Sequence, residues 1–293
     1  MTTAFETIRW GQGPFAFELI AHDRALAERA RAVFRPWLLT GGPERTARFE
    51  IEPAANPGDG ARWLVRSTLL AEPTERGSVD EALRWVELKA LETFVPATDH
   101  AIAVHGALTD LAGRGVLVVG ATESGKSSLA CGLWLEGAAL LADDVALVEL
   151  ASDIARPGPR RVALRHASRA LWGDALWERI AGAPSAAPTD EGVCFHPDDL
   201  GSGTRPASTP LACVIFLRRN GRPAGEPAAL TRIEPAHAVL AWLPFLVFGA
   251  RLDAGEAIRR VAPFAARVPA FDLERGPLAA MVAQARRAAG LET

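Results

Sequence analysis

Lysine and cysteine are both scarce in this 293-residue sequence. Two of its 32 basic residues are lysines, Lys89 and Lys126, and the rest are arginine. A lysine in so arginine-rich a sequence indicates a chemical reason for lysine at that position. The three cysteines, Cys131, Cys194 and Cys213, form neither a CxxC pair nor a metal-ligand spacing. We therefore expect the thiols to be small buried hydrophobic groups in a reducing cytoplasm.

The sequence also lacks a long hydrophobic run and an excess of charge of one sign. No apolar stretch reaches the roughly 18 to 20 residues that span a bilayer, and the first residues lack the basic and apolar regions of a secretory signal. The formal net charge is −3, far from the strongly basic balance of many nucleic-acid-binding proteins. We expect a soluble cytoplasmic protein whose partners are neither nucleic acids nor membranes.

Residues 1–95 are predicted to form a small α/β domain, a candidate for binding the substrate or a partner. Strand and helix assignments follow from apolar residues at alternating and at helical spacing, respectively. The predicted strands are Phe15–Ile20, Ala47–Ile51 and Trp63–Leu70. One helix is predicted at His22–Phe34, and a second, with Ser78 as its N-cap, runs to about Phe94. The proline, asparagine and glycine content of Pro53–Gly60 predicts a loop there.

Residues 96–293 are predicted to form a second α/β domain, because strands alternate with helices along them. The predicted strands are Ala101–Thr109, Gly115–Val119, Ala138–Ala142, Val145–Glu149 and Leu211–Leu217. A helix that ends near Glu136, with Gly137 as its stop, precedes the third strand. Further helices are predicted at Pro235–Leu246, Ala254–Phe264 and Pro277–Ala288.

A glycine-rich segment follows the strand that ends at Val119. It matches G-x-x-x-x-G-K-[ST] and precedes a helix, which is the context that a phosphate-binding loop (P-loop) requires. Glycines permit a tight turn whose backbone N–H groups converge on phosphate oxygens, and the helix N-terminus adds positive potential. Lys126 is predicted to bridge the β- and γ-phosphates of a nucleoside triphosphate, and Ser127 to offer its hydroxyl to Mg²⁺. The candidate nucleotide-binding residues are Gly120, Ala121, Thr122, Glu123, Ser124, Gly125, Lys126, Ser127 and Ser128.

Two other interpretations of this segment have weaker support. A Gly/Ser turn could match the motif without binding phosphate, but both flanking elements are those that the motif needs. A dinucleotide-binding loop would use Gly113 and Gly115, yet this pair precedes a strand instead of opening a helix. Phosphate binding alone leaves a kinase, a switch and a motor open.

Asp143 and Asp144 follow a short apolar strand. A strand that ends in aspartate commonly supplies the magnesium-coordinating carboxylate of P-loop proteins. With two carboxylates, one could lie near the metal while the other accepts a proton from a substrate hydroxyl. Both can engage only if the strand ends there, because neighbouring side chains in a strand point to opposite faces. A solvated Asp-Asp turn is the alternative, and His105 is either a core residue or a group that reaches the phosphate site.

The arrangement from His105 to Asp144 resembles the catalytic segment of HPr kinase/phosphorylase. The family pattern H-G-x-L-x-D-x-x-G-x-G-V-L-x-x-G-x-x-x-x-G-K-S, followed by G-x-x-L-x-A-D-D, overlays about forty residues here without a gap. The resemblance implies a kinase domain related to the phosphoenolpyruvate carboxykinase type, with ATP and Mg²⁺. It implies that Lys126 and Ser127 contact the phosphates and the metal. It also implies that Asp144 is the base toward a serine hydroxyl, assisted by Asp143 and His105.

The chain departs from the family pattern in three places. Ser128 replaces a glutamate, no counterpart of the later Arg-Gly-rich signature is found, and the first hundred residues look unlike the usual regulatory domain. Since that signature serves phosphorolysis, the reverse reaction and HPr as substrate are in doubt. The chain looks more like the HPr-kinase-related kinases of bacteria, some of which phosphorylate serine on ribosomally made peptide precursors such as lasso peptides. The resemblance also hints at a ring-like homo-oligomer.

We therefore predict an ATP- and magnesium-dependent kinase that acts on a serine of a peptide or small protein. A kinase of a free hydroxylated metabolite and a non-catalytic nucleotide-binding scaffold are the alternatives. An arginine cluster follows the aspartate pair; either one of its members neutralises transition-state charge or the cluster is solvated surface. The cluster comprises Arg156, Arg160, Arg161 and Arg165. The segment His196–Asp199 is too local and loop-like to predict a metal site.

Overall fold

The computed structural model describes residues 6–12, 15–41, 45–54, 62–94, 101–201, 205–218, 228–247 and 253–291. Its strands are β1 (Glu6–Gln12), β2 (Phe15–Ala21), β3 (Arg45–Pro53), β4 (Trp63–Ser67), β5 (Thr74–Arg76), β6 (Ala101–Leu111), β7 (Arg114–Gly120), β8 (Ala139–Ala142), β9 (Val145–Glu149), β10 (Ile154–Pro157), β11 (Val162–Arg165), β12 (Ala187–Thr189), β13 (Gly192–Phe195), β14 (Thr209–Arg218), β15 (Leu230–Ile233), β16 (Leu246–Val247) and β17 (Ala270–Glu274). Its α-helices are α1 (Arg24–Phe34), α2 (Val79–Phe94), α3 (Lys126–Leu135), α4 (Arg169–Trp172), α5 (Asp174–Ala181), α6 (Pro235–Trp242), α7 (Ala254–Arg267) and α8 (Leu278–Ala288).

The chain forms two compact units. Unit 1 joins Met1–Phe94 to Pro159–Leu200, and unit 2 joins Val95–Gly158 to Gly201–Thr293. The sequence predicts a boundary between residues 95 and 96, and the chain first passes from unit 1 to unit 2 after Phe94. It assigned residues 159–200 to the P-loop domain, however, and the structure places them in unit 1.

Unit 1 contains a five-stranded sheet in the order β1-β2-β3-β4-β5. β2 and β3 are parallel, with α1 as the connection between them, and the other neighbours are antiparallel. The helices start where side chains cap them: the Asp23 carboxylate accepts the Leu26 N–H at 2.7 Å, and the Ser78 hydroxyl accepts the Glu81 N–H at 3.1 Å. The core of this unit includes Trp10, whose ring stacks on that of Phe34 with centroids 4.2 Å apart.

A buried ion pair explains why residues 159–200 belong to unit 1. The Arg161 side chain is fully buried and donates to both carboxylate oxygens of Glu87 in α2, at 2.8–3.1 Å. The His196 ring contributes a second link, since its Nε2 lies 2.6 Å from the main-chain oxygen of Val33. These residues also form a small sheet of their own, in the order β11-β13-β12. Pairings across such sequence separations leave no local signal in the chain.

Unit 2 is built on a nine-stranded sheet whose main path is β10-β9-β6-β7-β14-β17-β15, with β8 and β16 also paired to β6. β7, β14 and β17 are parallel, while β6 and β15 run antiparallel to their neighbours. β6 and β7 form a hairpin whose two turn residues, Ala112 and Gly113, have φ angles of 53° and 83°. Two positive φ angles in a two-residue turn match the twist of the flanking strands.

A hydrophobic core on one face of this sheet joins α6 and α7 to the central strands. It includes Phe216 of β14, Trp242 of α6 and Phe264 of α7, which are all fully buried. α3 packs against β6, β7 and β8 and contacts α8. Mixed α/β architecture is therefore confirmed, with a large sheet that carries the P-loop segment.

Most predicted elements occur in the structure, with shifted ends. The strand predicted at Trp63–Leu70 ends at Ser67, and the helix predicted from His22 starts at Arg24, because Asp23 caps it. The helix predicted at Pro235–Leu246 ends at Trp242 and continues as a 3-10 turn, since Pro244 lacks the N–H that another α-helical turn needs. Most of the predicted Pro53–Gly60 loop lies outside the described residues. No helix in the described part of the chain combines the length and apolarity of a bilayer crossing.

Candidate functional site

The P-loop segment connects β7 directly to α3. β7 ends at Gly120, and α3 begins at Lys126. Two residues between them have left-handed backbone, Glu123 with φ 63° and Gly125 with φ 105°. Within the loop, the Ser124 N–H donates to the Ala121 oxygen at 3.1 Å. The strand–loop–helix context that the motif requires is therefore present.

Gly120 lies where the chain has no room for a side chain. A Cβ atom at this position would lie 2.7 Å from Ser124 Oγ and 3.0 Å from the Leu217 main-chain oxygen. Both distances are well below ordinary van der Waals contact, about 3.5–4.0 Å between carbons. The loop curls back tightly because residue 120 is glycine.

Lys126 lies at the centre of the loop. Its side chain is buried, with 7% of the residue exposed, and its Nζ donates to the main-chain oxygens of Gly120 at 2.9 Å and Ala121 at 3.1 Å. The ammonium therefore lies within the turn that the loop forms. Ser127 and Ser128 follow in the first turn of α3 and are half-buried. Ala121, Thr122 and Glu123 are exposed at the outer side of the loop.

The polar groups of this loop fit a phosphate ligand. Within the described residues no side chain caps the first turn of α3, in contrast to the aspartate and serine caps of α1 and α2. The first N–H groups of a helix lack intrahelical acceptors, and an anion can satisfy them. Ser124 Oγ is also buried without a hydrogen-bond partner among the described residues. Unsatisfied donors next to a buried ammonium are what a phosphate group requires.

Strand register brings the predicted site residues to one edge of the unit 2 sheet. Gly120 pairs with Leu217 near the carboxyl end of β14, and Val119 pairs with Gly106 of β6. His105, beside Gly106, pairs on the other side with Val145, the first residue of β9. In open α/β sheets, ligands bind outside the carboxyl ends of the parallel strands, and this edge is the carboxyl end of β7 and β14.

Asp143 and Asp144 interrupt two strands that both pair with β6. β8 ends at Ala142, β9 begins at Val145, and both are antiparallel to β6. The predicted condition for both carboxylates to engage, a strand that ends at this point, is therefore met. The pair is not a solvated turn, because Asp143 is buried and Asp144 is half-buried.

Asp144 contacts both residues of the His105-Gly106 dipeptide. Its Oδ1 lies 3.1 Å from His105 Nδ1, and its main-chain oxygen accepts the Gly106 N–H at 3.0 Å. His105 is therefore a partner of the carboxylate and not an isolated core residue. If Nδ1 carries the proton of the neutral ring, it donates to Asp144 and fixes the direction of the carboxylate.

Asp143 lies beside α3. The residue is 8% exposed, and its negative charge adds to burial in raising the pKa of the Cys131 thiol well above its usual value. Cys131 is four residues after Ser127, so both lie on the same face of α3. Asp143 directly follows β8, and β8 packs against α3, the helix that carries Ser127.

Two cations near this edge were missed by the sequence analysis. Arg205 donates to the Leu141 oxygen at 3.2 Å, two residues before Asp143. Arg218 follows Leu217 at the end of β14, and its Nε donates to Asp272 Oδ1 at 2.6 Å. Only the strand register, which the sequence does not reveal, places them here.

The predicted arginine cluster is dispersed in the structure. Arg161 is fully buried in unit 1 against Glu87, so it is unavailable to a ligand. Arg160 and Arg165 also belong to unit 1, and Arg165 lies 3.8 Å from Glu191. Arg156 is the member in unit 2, where its guanidinium pairs with Glu149 at 2.9 Å.

Comparisons with known proteins give little independent support. No protein-family model and no curated protein matches the sequence. Among solved structures, the Hpr(Ser) kinase/phosphatase from Coxiella burnetii aligns with a TM-score of 0.31 and 15% sequence identity. The alignment covers 63% of this chain and 95% of that chain. A likeness this distant carries no argument, so the function has to be inferred from the residues themselves.

Proposed function

We propose that this protein is an ATP- and magnesium-dependent kinase that phosphorylates a serine hydroxyl of a peptide or small protein. The observation that carries the proposal is the P-loop at the same sheet edge as the Asp144–His105 pair. A binding scaffold needs the first of these features but has no use for a carboxylate oriented by an imidazole.

The loop would hold the nucleotide through main-chain N–H groups and Lys126. Ser127 and Asp143 are the proposed ligands of Mg²⁺, a cation that prefers oxygen ligands. ATP is the proposed phosphoryl donor, and an Mg²⁺ ion held by Ser127 and Asp143 would neutralise charge on its phosphates. Burial of Asp143 and Lys126 lowers the local dielectric and strengthens both interactions.

Asp144 is the proposed general base. As the serine oxygen forms its bond to the terminal phosphorus, the bond from that phosphorus to the bridging oxygen breaks and ADP leaves. The hydroxyl proton passes to the Asp144 carboxylate. His105 keeps that carboxylate in place through the 3.1 Å contact and acts as a positioning residue.

The peptide acceptor rests on the resemblance to HPr-kinase-related kinases. We propose that unit 1 binds the peptide and that the protein forms a homo-oligomer, both by analogy with that family. Phosphorylase activity is not proposed, since the residues that serve the reverse reaction in the family have no counterpart.

The test is an Asp144→Asn variant. The amide keeps a hydrogen-bonding group toward His105, and the main-chain contact to Gly106 is unaffected, so the fold and the affinity for ATP should be retained. Loss of a general base lowers turnover by about 10²- to 10⁴-fold. Lys126→Ala should instead abolish ATP binding together with transfer. Glu136→Gln, at the opposite end of α3, is the matched control and should change neither.

Mass spectrometry of candidate peptides and of small alcohols after incubation with ATP identifies the acceptor class. Transfer to small alcohols alone would point to a metabolite kinase. Nucleotide binding with no transfer to any cellular fraction would point to a scaffold. Unchanged turnover of Asp144→Asn would remove Asp144 from the role of base.

A further inference from the structure

Three potential metal ligands lie together in unit 1. The proposed kinase chemistry uses none of these three side chains. They are His22, Glu50 and Glu52, each half-buried, and one ligand atom from each lies within 4.8 Å of the others. His22 Nε2 lies 2.7 Å from Glu50 Oε1. Ligand atoms that share an ion at about 2.0–2.2 Å each are about 3–4 Å apart. A small movement of partly exposed side chains would therefore close the set around a single ion.

The strand register accounts for this convergence. Ala21 of β2 pairs with Ile51 of β3, and both side chains are buried. Phe49 lies on the same face as Ile51 and contacts Trp85 of α2, so this face is the one that the helices cover. His22 follows Ala21, and Glu50 and Glu52 flank Ile51, so all three face away from the helices. β2 and β3 are parallel, and His22 and Glu52 stand at their carboxyl ends. Binding sites of βαβ units lie at this edge of the sheet.

The backbone holds these ligands in place. Glu50 and Glu52 are within β3, and His22 immediately precedes Asp23, which caps α1 at 2.7 Å. Ligands on strands and at a capped helix start keep their spacing better than ligands on an unconstrained loop. The fold therefore already meets the backbone part of the ordering cost of binding an ion.

The charges of the neighbouring side chains favour a cationic ligand. Two carboxylates contribute −2, and the Arg66 guanidinium offsets one of them through its Nε, 3.0 Å from Glu52 Oε1. Arg66 is also the cross-strand partner of Glu50. An ion that binds here has to displace this arginine from Glu52, which gives the site a specific competitor.

We propose that His22, Glu50 and Glu52 form a binding site for a divalent transition-metal ion, with Zn²⁺ as the probe. An imidazole nitrogen with two carboxylate oxygens suits Zn²⁺, whereas Mg²⁺ prefers oxygen and water ligands. Three protein ligands leave a coordination position open to water or an external ligand. The ion joins β2 to β3 and stabilises unit 1.

Zinc binding by the full-length protein tests this site. The chelator-treated protein is titrated with Zn²⁺ by calorimetry in millimolar Mg²⁺, which keeps the proposed nucleotide site supplied with its own ion. We expect one saturable site, stronger hydrogen-exchange protection of the β2 and β3 amides with Zn²⁺ bound, and at least a tenfold loss of affinity in His22→Ala and in Glu50→Gln. Arg66→Gln should bind Zn²⁺ more tightly, because it removes the competing cation.

Two control variants separate this site from ordinary surface binding. His237→Ala removes an exposed histidine of α6, and Glu75→Gln removes an exposed carboxylate of β5; neither should change Zn²⁺ affinity. The absence of saturable binding would overturn the proposal. So would an affinity that His22→Ala, Glu50→Gln and Arg66→Gln all leave unchanged. If His22→Ala fails to fold, the opposite shifts expected for the other two variants still decide the question.

Discussion

A single methyl group at Gly120 should damage the P-loop by steric conflict. In Gly120→Ala the new Cβ would lie 2.7 Å from Ser124 Oγ, 3.0 Å from the Leu217 oxygen and 3.2 Å from Leu217 Cβ. The serine can move, but the main-chain oxygen belongs to the parallel pairing of β7 and β14. The loop, the strand pairing or both must therefore shift.

The free-energy cost of the added methyl group depends on which neighbouring atoms can move. Inserting a methyl group into a well-packed site costs about 1–3 kcal/mol. Gly120 is not among the glycines with positive φ, so no backbone strain adds to this figure. A loss of that size lowers the hydrogen-exchange protection of the β7 amides by about 5- to 150-fold. Displacement of Ser124 should also weaken ATP binding, because neighbouring loop amides move with it.

Hydrogen exchange measured by mass spectrometry on β7 and β14 peptides reports on unit 2 alone. A global thermal melt would instead combine the unfolding of both units. Gly41→Ala is the matched control, since no atom lies within 4 Å of its added Cβ and protection should not change. Ser124→Ala in the Gly120→Ala background should recover part of the loss through removal of the nearest clash. Wild-type protection in Gly120→Ala, or no recovery in the double variant, would refute the steric explanation.

The remaining predictions concern buried groups. Glu87→Gln leaves the buried Arg161 charge without its counter-ion and should destabilise unit 1 by about 3–5 kcal/mol, measured by hydrogen exchange of the α2 amides. Glu87→Leu combined with Arg161→Met should restore much of this stability. A mild effect of Glu87→Gln would contradict the reasoning. Burial raises the pKa of Cys213 from 9.0 to about 12, so at pH 8 its thiolate fraction is about a thousandfold below that of an unburied thiol. Iodoacetamide should then modify Cys213 only after denaturation. Above pH 9 the thiol of the unfolded chain ionises while the buried thiol stays neutral, so the free energy of unfolding should fall as the pH rises from 9 towards 12.

Local signals were sufficient to predict much of the fold. The Ser78 cap, the Gly137 stop with φ 95° and the apolar run of Leu211–Leu217 each act within a few residues, so their structural meaning is readable in sequence. The strand–loop–helix order around Gly120 and Lys126 was predicted for the same reason.

Non-local pairings account for what could not be predicted. The short strands β10 to β13 have too few residues to show a period. The assignment of residues 159–200 to unit 1 depends on Arg161 meeting Glu87, 74 residues away. The convergence of His22 with Glu50, 28 residues apart in sequence, depends on the register between two parallel strands. The sequence offers the residues, and only the pairing of strands decides which ones meet.

The His105-Gly106 dipeptide has a physical role that the loop motif alone does not explain. The Gly106 N–H binds the main-chain oxygen of Asp144, and the His105 ring binds its carboxylate, so two adjacent residues fix both the backbone and the side chain of the aspartate. A Cβ on Gly106 would lie 2.8 Å from the Val118 oxygen of β7, so only glycine lets β6 approach β7 this closely. Since β7 continues into the P-loop, the same dipeptide sets the distance between the loop and the carboxylate. A proposed base that must lie within reach of a transferred phosphoryl group requires that distance to be fixed by the sheet itself.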